Sequence, residues 1–263
     1  MSHTPDLNQL FQSARAEGTL SPDSLQTLNV HDIGAQIQAG LGIQVEDVMA
    51  SEVVLVTIMP DDSGSIDYAG NAAIVRAGHN TVLDALLASQ QSDNILVHNR
   101  YLNGQVLYPY CPVSQAKRMD ANNYNPNQGT PLYDQTIVLL GTVLAKAQEF
   151  SDNGVPVRTV TLIISDGADA HSHRASAQTV RPLVQDMLRT ENHIIAAMGI
   201  DDGGQTNFRQ VFRDMGIRDR WILTPGNSQK EIRNAFQVFS QSAVRASQSS
   251  GGFNQTSLGG FGC

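Results

Sequence analysis

Short hydrophobic runs alternate with helical patterns along most of the chain. Residues 53–58 and 157–164 are rich in β-branched residues and apolar on both faces, which is typical of strands buried between two layers. Shorter runs at residues 193–200 and 221–223 predict two further strands. Between the strands, apolar residues recur at helical spacing, which predicts amphipathic helices. The predicted apolar faces hold Val75, Val82, Leu83 and Leu86; Ile137, Leu140 and Leu144; Val180, Leu183, Val184 and Met187; and Ile232, Ala235, Phe236 and Phe239.

One pair of strands is predicted to be antiparallel. The apolar runs at residues 95–97 and 105–110 are separated by a segment that contains Asn103-Gly104. Asn-Gly is the strongest short-range hairpin signal, because both residues tolerate positive φ. The remaining alternation predicts a doubly wound α/β fold, in which a mostly parallel central sheet has one antiparallel edge strand and helices on both faces. In such a sheet, ligands bind at the carboxyl ends of the strands.

The two ends of the chain differ from this alternating pattern. Residues 1–45 are predicted to be an N-terminal extension of short elements, because glycines between positions 34 and 42 interrupt any long helical run. Residues 46–248 hold the predicted α/β domain. Residues 249–263 are rich in Ser and Gly and predict a disordered tail.

A polar segment precedes the longest predicted helix. Residues 117–130 are rich in Asn, Pro and Gly, and they are predicted to form a loop. The helix that follows is expected to start at about Pro131, since proline suits the first helical turn. Thr130 is expected to be its N-cap, because the threonine hydroxyl can accept a hydrogen bond from a free backbone N–H group.

The composition excludes several classes of protein. Of the 263 residues, 41% are hydrophobic and 16% are charged, which excludes a disordered polymer. The net charge is −8, and residues 1–75 hold ten acids and only one base, Arg15. A chain without clustered Lys and Arg is not expected to bind nucleic acid, since neutralising the phosphates requires such clusters.

The sequence also predicts a compartment. No apolar run approaches the roughly 18 residues that a membrane span needs, so no membrane partner is expected. The first residues show no basic segment followed by an apolar one, as a secretory signal would. Cys111 and Cys263 do not form a disulfide framework. A cytoplasmic location is therefore predicted.

Three segments carry clustered oxygen ligands. Asp61, Ser63 and Ser65 follow the first buried strand, Thr130 precedes the longest helix, and Asp166 follows the strand at residues 157–164. Carboxylates and hydroxyls without paired His or Cys suit a hard divalent cation such as Mg²⁺ or Mn²⁺ better than Zn²⁺. The sequence therefore predicts a cation site built from these segments.

These segments resemble a motif of a known family. Von Willebrand factor type A domains carry a metal-ion-dependent adhesion site with the pattern Asp-x-Ser-x-Ser, then a Thr, then Asp-Gly. Asp61, Ser63 and Ser65 match the first part, Thr130 matches the second and Asp166 matches the third. Three matching segments in this order form a far more specific signal than Asp-x-Ser-x-Ser alone.

The resemblance covers about residues 50 to 247, and it has consequences for function. It implies a divalent ion, Mg²⁺ or else Mn²⁺ or Ca²⁺, held directly by Ser63, Ser65 and Thr130, with Asp61 and Asp166 close by or acting through water. It also implies an open coordination position for an Asp or Glu side chain of a partner protein. Because Asp61 is expected at the surface, its replacement by alanine is expected to abolish partner binding and leave the fold intact.

A narrower similarity concerns the C-terminal part. Residues 236–244 and the Ser-rich tail are similar to the same region of bacterial von Willebrand A proteins associated with tellurium resistance. Those proteins accompany a Ser/Thr kinase and a phosphatase in stress or conflict responses, so the similarity implies such partners here. The alternative for the tail is an inert solubilising segment. The candidate phosphoacceptors would be Ser247, Ser249, Ser250, Thr256 and Ser257.

A catalytic function is the main alternative. A metal-dependent hydrolase or phosphatase could use Asp61 or Asp62 as nucleophile or metal ligand. Phosphotransferases of that type place a second Asp two residues after the first, where this chain has Ser63, and no general base is paired with a nucleophile. We therefore predict a binding module without enzymatic activity. The other alternative is that Asp61, Ser63 and Ser65 belong to a Ser-rich turn that caps the following helix.

Several polar residues near these segments have two interpretations. His171 and His173 are either a metal-binding pair or, as we expect, solvent-exposed histidines. Asp134 and Asp169 either tune the site or are surface carboxylates beside it, and the second interpretation is favoured. Asp201 and its neighbour Asp202 follow a predicted strand, so they either border the ligand surface or belong to a plain turn.

Overall fold

The protein is described by a computed structural model that covers residues 6–28 and 33–248. Within these ranges the strands form one six-stranded sheet in the order β3-β2-β1-β4-β5-β6. Strands β2 and β3 pair antiparallel and all other neighbours pair parallel, which confirms the predicted mixed α/β sheet. The strands are β1 (Val53–Met59), β2 (Ile95–Arg100), β3 (Val106–Pro112), β4 (Val157–Ser165), β5 (His193–Gly199) and β6 (Ile222–Leu223).

Helices cover both faces of this sheet. Helices α5 and α9 pack together on one face, whereas α6 lies on the other face, under α1 and α3. The α-helices of the described residues are α1 (Leu7–Ala16), α2 (Pro22–Leu28), α3 (Gly34–Leu41), α4 (Gly64–Tyr68), α5 (Ala72–Leu87), α6 (Leu132–Asp152), α7 (Ala177–Arg189), α8 (Phe208–Asp214) and α9 (Gln229–Gln248). The predicted disordered tail, residues 249–263, lies outside the described residues.

The order of the strands places a crevice between β1 and β4. The chain proceeds outward from β1 to β2 and β3, and then returns across the sheet to β4, β5 and β6. The two central strands are aligned so that Met59 of β1 faces Ile163 of β4. Side chains that follow these strands therefore meet at one edge. This reversal of strand order is the place where open α/β sheets bind ligands.

The predicted hairpin is confirmed, with strands longer than the apolar runs suggested. Strand β2 continues to Arg100, because its polar last residues are buried as deeply as its apolar ones. In the turn, the Tyr101 N–H group donates to the Gln105 carbonyl oxygen at 2.8 Å, and Gly104 has a φ of 93°. The left-handed conformation at this position favours glycine, as the Asn-Gly signal indicated.

One glycine of the first 45 residues, Gly40, does not act as predicted. Gly40 lies inside α3 and does not end it. A Cβ atom at Gly40 would lie 2.6 Å from Thr142 of α6 and 3.0 Å from the ring of His98 in β2. The missing side chain therefore lets α3 approach the sheet closely, and the helix ends at Gly42, whose φ is 62°.

None of the helices in residues 6–28 and 33–248 combines the length and hydrophobicity that crossing a membrane requires.

Candidate metal centre

Asp61 connects the ends of the two central strands. Its Oδ1 accepts a hydrogen bond from the Ser63 N–H group at 2.8 Å. Its Oδ2 accepts from the Ser165 hydroxyl at 2.8 Å and from the Asp166 N–H group at 3.4 Å. Asp61 is fully buried, so the expectation of a surface carboxylate is wrong. Alanine at this position would leave the N–H groups of Ser63 and Asp166 without their acceptor, and we therefore expect Asp61→Ala to lower the stability of the fold.

Three oxygen atoms meet beside Asp61. The Oγ atoms of Ser63 and Ser65 are 2.9 Å apart. The Ser65 hydroxyl donates to Oδ1 of Asp166 at 2.7 Å, and the Ser63 hydroxyl lies 3.3 Å from the same atom. Ser63 occupies the N-cap position of α4, but its side chain makes no capping hydrogen bond. The capping interpretation is therefore wrong, because the hydroxyl points to Asp166 instead.

The acidic groups of this site are crowded and poorly solvated. Burial raises the pKa of the Asp61 carboxyl above its usual range. Burial, followed by the charge of Asp61, raises the pKa of Asp166 to about 6. Burial also raises the pKa of Asp62 to about 7, and its Oδ1 accepts from the Asn103 N–H group at 3.0 Å. A cation bound close to Asp61 and Asp166 would compensate the negative charge that desolvation makes costly.

The backbone of Thr130 lies between the loops that carry Ser63 and Asp166. On one side, the Gly64 N–H group donates to the Gln128 carbonyl oxygen at 3.1 Å. On the other side, the Thr130 carbonyl oxygen accepts from the N–H groups of Ala170 and His171 at 3.2 and 3.3 Å. The Thr130 side chain is buried, and its hydroxyl makes no hydrogen bond to any residue that the structure describes. This hydroxyl is therefore available to a ligand.

The structure thus brings four of the five predicted ligands into direct contact. Asp61, Ser63, Ser65 and Asp166 share hydrogen bonds, whereas Thr130 is placed through its backbone in the adjoining loop. Its direct ligation of an ion therefore stays a prediction.

Thr130 is not the N-cap of the longest helix, contrary to the sequence-based prediction. Helix α6 begins at Leu132, and Pro131 occupies the N-cap position without a capping side chain. The free N–H groups of Tyr133 and Asp134 donate instead to the Ser172 hydroxyl, at 3.1 and 3.0 Å. The cap thus comes from the loop between β4 and α7, which leaves the Thr130 hydroxyl unused.

Asp134 and Asp169 are partly exposed carboxylates beside the site, and their hydrogen bonds hold that loop in place. The carboxylate of Asp134 accepts hydrogen bonds from three successive N–H groups, those of residues 173–175, at 2.8 to 3.2 Å. Oδ1 of Asp169 accepts from the Ser172 hydroxyl and from the Tyr133 N–H group. Since these bonds cross between the two loops, they fix the position of Thr130 relative to Asp166.

Sequence reasoning missed the role of His171. Its Nδ1 accepts a hydrogen bond from the Thr130 N–H group at 2.8 Å. Its ring lies against Gly129, where a Cβ atom would be only 2.8 Å from the ring. His171 is exposed as predicted, but it orients the backbone of a candidate ligand. No spacing along the chain indicated this, because the contact joins residues 41 positions apart.

Two replacements of His171 are expected to have different effects on metal affinity. Asparagine places its Oδ1 near the position of Nδ1 and can still accept from Thr130, whereas glutamine cannot. We expect His171→Gln to weaken Mg²⁺ binding at least about tenfold, as is typical when a group that orients a ligand is lost. His171→Asn should keep the affinity within about threefold of wild type.

Isothermal titration calorimetry with Mg²⁺ checks this prediction. His173→Ala is the control, since the hydrogen bond from His173 to Asp134 comes from its backbone N–H group, which alanine retains. Equal losses of Mg²⁺ affinity in the two His171 variants would contradict the role of the hydrogen bond between His171 and Thr130.

Tyr124 is a second residue that the sequence did not reveal. This buried tyrosine donates its hydroxyl hydrogen to the Asp61 carbonyl oxygen. Its ring lies 5.4 Å from that of Tyr101, whose hydroxyl donates to the Asn123 carbonyl oxygen. Tyr124 therefore anchors the loop at residues 117–130 beside the site, although many residues of the loop are exposed.

The donor set fits a small, hard cation. Adjacent ligands of an octahedral Mg²⁺ ion, each about 2.0–2.1 Å from the metal, are separated by about 2.9 Å. The distance between the Oγ atoms of Ser63 and Ser65 is 2.9 Å. Within the described ranges, no group of three or more His, Cys, Asp or Glu side chains could hold a metal ion.

A cleft of about 690 Å³ opens beside the candidate metal centre. Ser65 and Asp166 form one wall, and Asp201 and Asp202 form part of another. The two neighbouring acids thus border this cleft, and their carboxylates also accept backbone hydrogen bonds within a turn, so the two alternatives that the sequence left open do not exclude each other.

Comparisons with known proteins support the fold. No protein-family model and no curated protein sequence matches the chain. Among solved structures, the pilus adhesin SpaC from Lactobacillus rhamnosus GG, in its open conformation, matches with a TM-score of 0.52 and 13% identity over 75% of this chain and 30% of the adhesin. Proximal thread matrix protein 1 from the mussel byssus matches with a TM-score of 0.52 and 13% identity, over 73% of this chain and 46% of that protein.

A von Willebrand factor type A structure from Catenulispora acidiphila also matches, with 18% identity over 74% of this chain and 43% of that one. Its TM-score is 0.48. The chain spans less than half the length of each of these proteins. At such low identities the likeness concerns the fold, and the chain is similar to these proteins in the architecture of its sheet and helices.

Proposed function

We propose that this chain is a divalent-cation-dependent module that binds a carboxylate of a partner protein. One observation carries the proposal: the hydroxyls of Ser63 and Ser65 and a carboxylate oxygen of Asp166 converge within 2.7 to 3.3 Å of one another. Ser63, Ser65 and Asp166 would hold the ion together with Thr130, and Asp61 would orient them from behind. Hydroxyl ligands are neutral, so an ion held mainly by them keeps charge with which to bind an incoming Asp or Glu.

The resemblance to the adhesion site of von Willebrand factor type A domains supports the same role. It predicts Mg²⁺ as the resident ion, with Mn²⁺ or Ca²⁺ as alternatives. The oxygen spacing favours the two smaller ions, because Ca²⁺ binds its ligands at 2.3–2.6 Å and requires wider separations.

Burial of the candidate nucleophiles favours binding over catalysis. Both carboxylate oxygens of Asp61 accept hydrogen bonds inside the protein, and Asp62 is buried against Asn103. A nucleophile must reach its substrate, and neither of these carboxylates lines the cleft. A phosphatase screen with Mg²⁺ tests this choice: turnover that is lost in Asp61→Asn would overturn it.

The proposal is tested by calorimetric titration of the purified protein with Mg²⁺ and Mn²⁺. We expect a single divalent site, and partner capture that is lost in EDTA and restored by added Mg²⁺. A protein that binds neither ion would contradict the proposal.

A cytoplasmic stress-response role with a Ser/Thr kinase and a phosphatase is a narrower form of this proposal. It rests on residues 236–244 and the tail, and the comparisons give no support for the tellurium-resistance subgroup. Most of the candidate phosphoacceptors lie in residues 249–263, outside the described residues. Mass spectrometry of protein purified from its native cell tests it, and tail residues that are never phosphorylated would contradict it.

A further inference from the structure

The cleft beside the candidate metal centre has a mixed chemical character. Its volume is about 690 Å³, large enough for several side chains of a bound peptide. Tyr68, at the end of α4, lines it and is 95% exposed. Aromatic residues at the centre of an interface often carry much of the binding energy. An exposed tyrosine contributes strongly because a bound partner removes a large apolar surface from water.

The cleft continues beyond the metal centre. A second cleft, of about 440 Å³, shares Asp201 and Thr206 with the first and extends along the ends of β5 and β6 to Phe208 and Pro225. The two together form a groove along the carboxyl edge of the sheet. An extended peptide segment fits such a groove better than a single side chain does.

The charge of the groove specifies its occupant. Asp166, Asp201 and Asp202 line the cleft nearest the metal centre, and no Lys or Arg of the described residues does. Arg209 lines the second cleft, but its charge is paired with Asp219 at 3.3 Å. A divalent ion would be balanced by Asp61 and Asp166, so Asp201 and Asp202 would remain as uncompensated negative charge. A partner carboxylate adds one more negative charge to this groove. Electrostatic repulsion is lowest when the partner also carries a Lys or Arg next to that carboxylate.

We propose that the groove binds an extended segment of a partner protein in which the metal-binding Asp or Glu is flanked by Lys or Arg, with Tyr68 as a main contact. This inference rests on the proposed metal-dependent binding. It adds the sequence character of the partner, which the metal centre alone does not determine.

Peptide selection tests the inference. A library of random peptides with one fixed Glu is selected on the full-length protein in Mg²⁺, with a parallel selection in EDTA. We expect Lys and Arg to be enriched severalfold over Asp and Glu at the positions beside the fixed residue. The variant Asp201→Asn/Asp202→Asn should lose most of this enrichment and keep Mg²⁺-dependent capture.

The double variant is well suited to this test. Asp201 accepts a hydrogen bond from the Gly204 N–H group, and Asp202 accepts from those of Gln205 and Thr206. Asparagine can keep each of these bonds, so only the charge is removed. The matched control is Asp47→Asn/Asp93→Asn, because these acids precede β1 and β2 and lie at the opposite edge of the sheet. Tyr68→Ala should reduce capture of all selected peptides.

The outcomes separate the inference from the proposed function. Mg²⁺-dependent capture without a basic preference would overturn the inference and leave the metal-dependent module in place. Capture that depends neither on Mg²⁺ nor on the fixed Glu would overturn both the inference and the proposed function. A dimer that forms in Mg²⁺ and is abolished by Asp201→Asn/Asp202→Asn would identify the occupant as a second copy of this chain, and would overturn the inference of a separate partner.

Discussion

The variant Ser65→Ala is expected to weaken Mg²⁺ binding by at least about 100-fold. Loss of a group that only orients a ligand typically costs 10–100-fold in affinity, and loss of a direct ligand should cost no less. The Ser65 hydroxyl lies 2.9 Å from that of Ser63 and 2.7 Å from Asp166, and the side chain is solvent-exposed. Its removal should therefore affect the ion without unfolding the domain. Calorimetric titration with Mg²⁺ measures the loss.

Thermal unfolding gives a second measurement of the same effect. A ligand present at 100 times its dissociation constant stabilises a folded protein by about 2.7 kcal/mol. Saturating Mg²⁺ should therefore raise the melting temperature of the wild type and leave that of Ser65→Ala almost unchanged.

Two controls accompany this prediction. Ser65→Thr retains a hydroxyl and should retain most of the affinity. Asp67→Asn removes a negative charge from the exposed side of the same helix and should lower the affinity only slightly. An alanine variant that binds Mg²⁺ as tightly as the wild type would refute the role of Ser65 as a ligand.

Removal of residues 1–45 is expected to prevent folding of the rest of the chain. Every residue of α6 from position 135 to 150 is buried, because the sheet covers one side of this helix and α1 and α3 cover the other. A Cβ atom at Gly141 of α6 would lie 2.8 Å from Ile37 and 2.9 Å from Leu28. The first helices therefore pack against α6 as closely as elements pack in the core of a domain. The buried apolar residues that they and their connections contribute are Leu10, Phe11, Ala14, Leu20, Leu28, Ile33, Ile37 and Leu41.

The size of this effect follows from the buried surface. Burial of each large apolar side chain contributes about 1.5–3 kcal/mol, whereas the net stability of a domain is only about 5–15 kcal/mol. A fragment of residues 46–248 should therefore be insoluble or lack a cooperative unfolding transition, while a fragment of residues 6–248 should unfold in urea like the full chain. A soluble 46–248 fragment with an unchanged urea midpoint would show that residues 1–45 are a dispensable extension.

A point variant tests the same packing without truncation. Phe11→Ala should lower the free energy of unfolding by about 3–5 kcal/mol, as is typical of buried phenylalanines. Gln9→Ala, at an exposed position of the same helix, should change it by less than about 0.5 kcal/mol. Similar values for the two variants would argue against a core role of α1.

The amino-acid sequence by itself determined the type of fold and the identity of the candidate ligands. Apolar runs and helical stripes specify strands and helices through local geometry, and Asn103-Gly104 specifies a hairpin through the conformations that its residues tolerate. The order of Asp61, Ser63, Ser65, Thr130 and Asp166, each beside a strand end or a helix start, was sufficient to predict a cation site.

Only the tertiary structure decided how that site is supported. Asp61 is a buried connection between two strands, His171 orients Thr130, and Ser172 caps α6 from a distant loop. Each of these contacts joins residues that lie far apart along the chain, so no local pattern contains it. The close packing of residues 6–28 and 33–45 was hidden for the same reason. In the sequence Gly40 looks like a helix breaker, whereas in the structure α6 and β2 lie too close to it to leave room for a larger side chain.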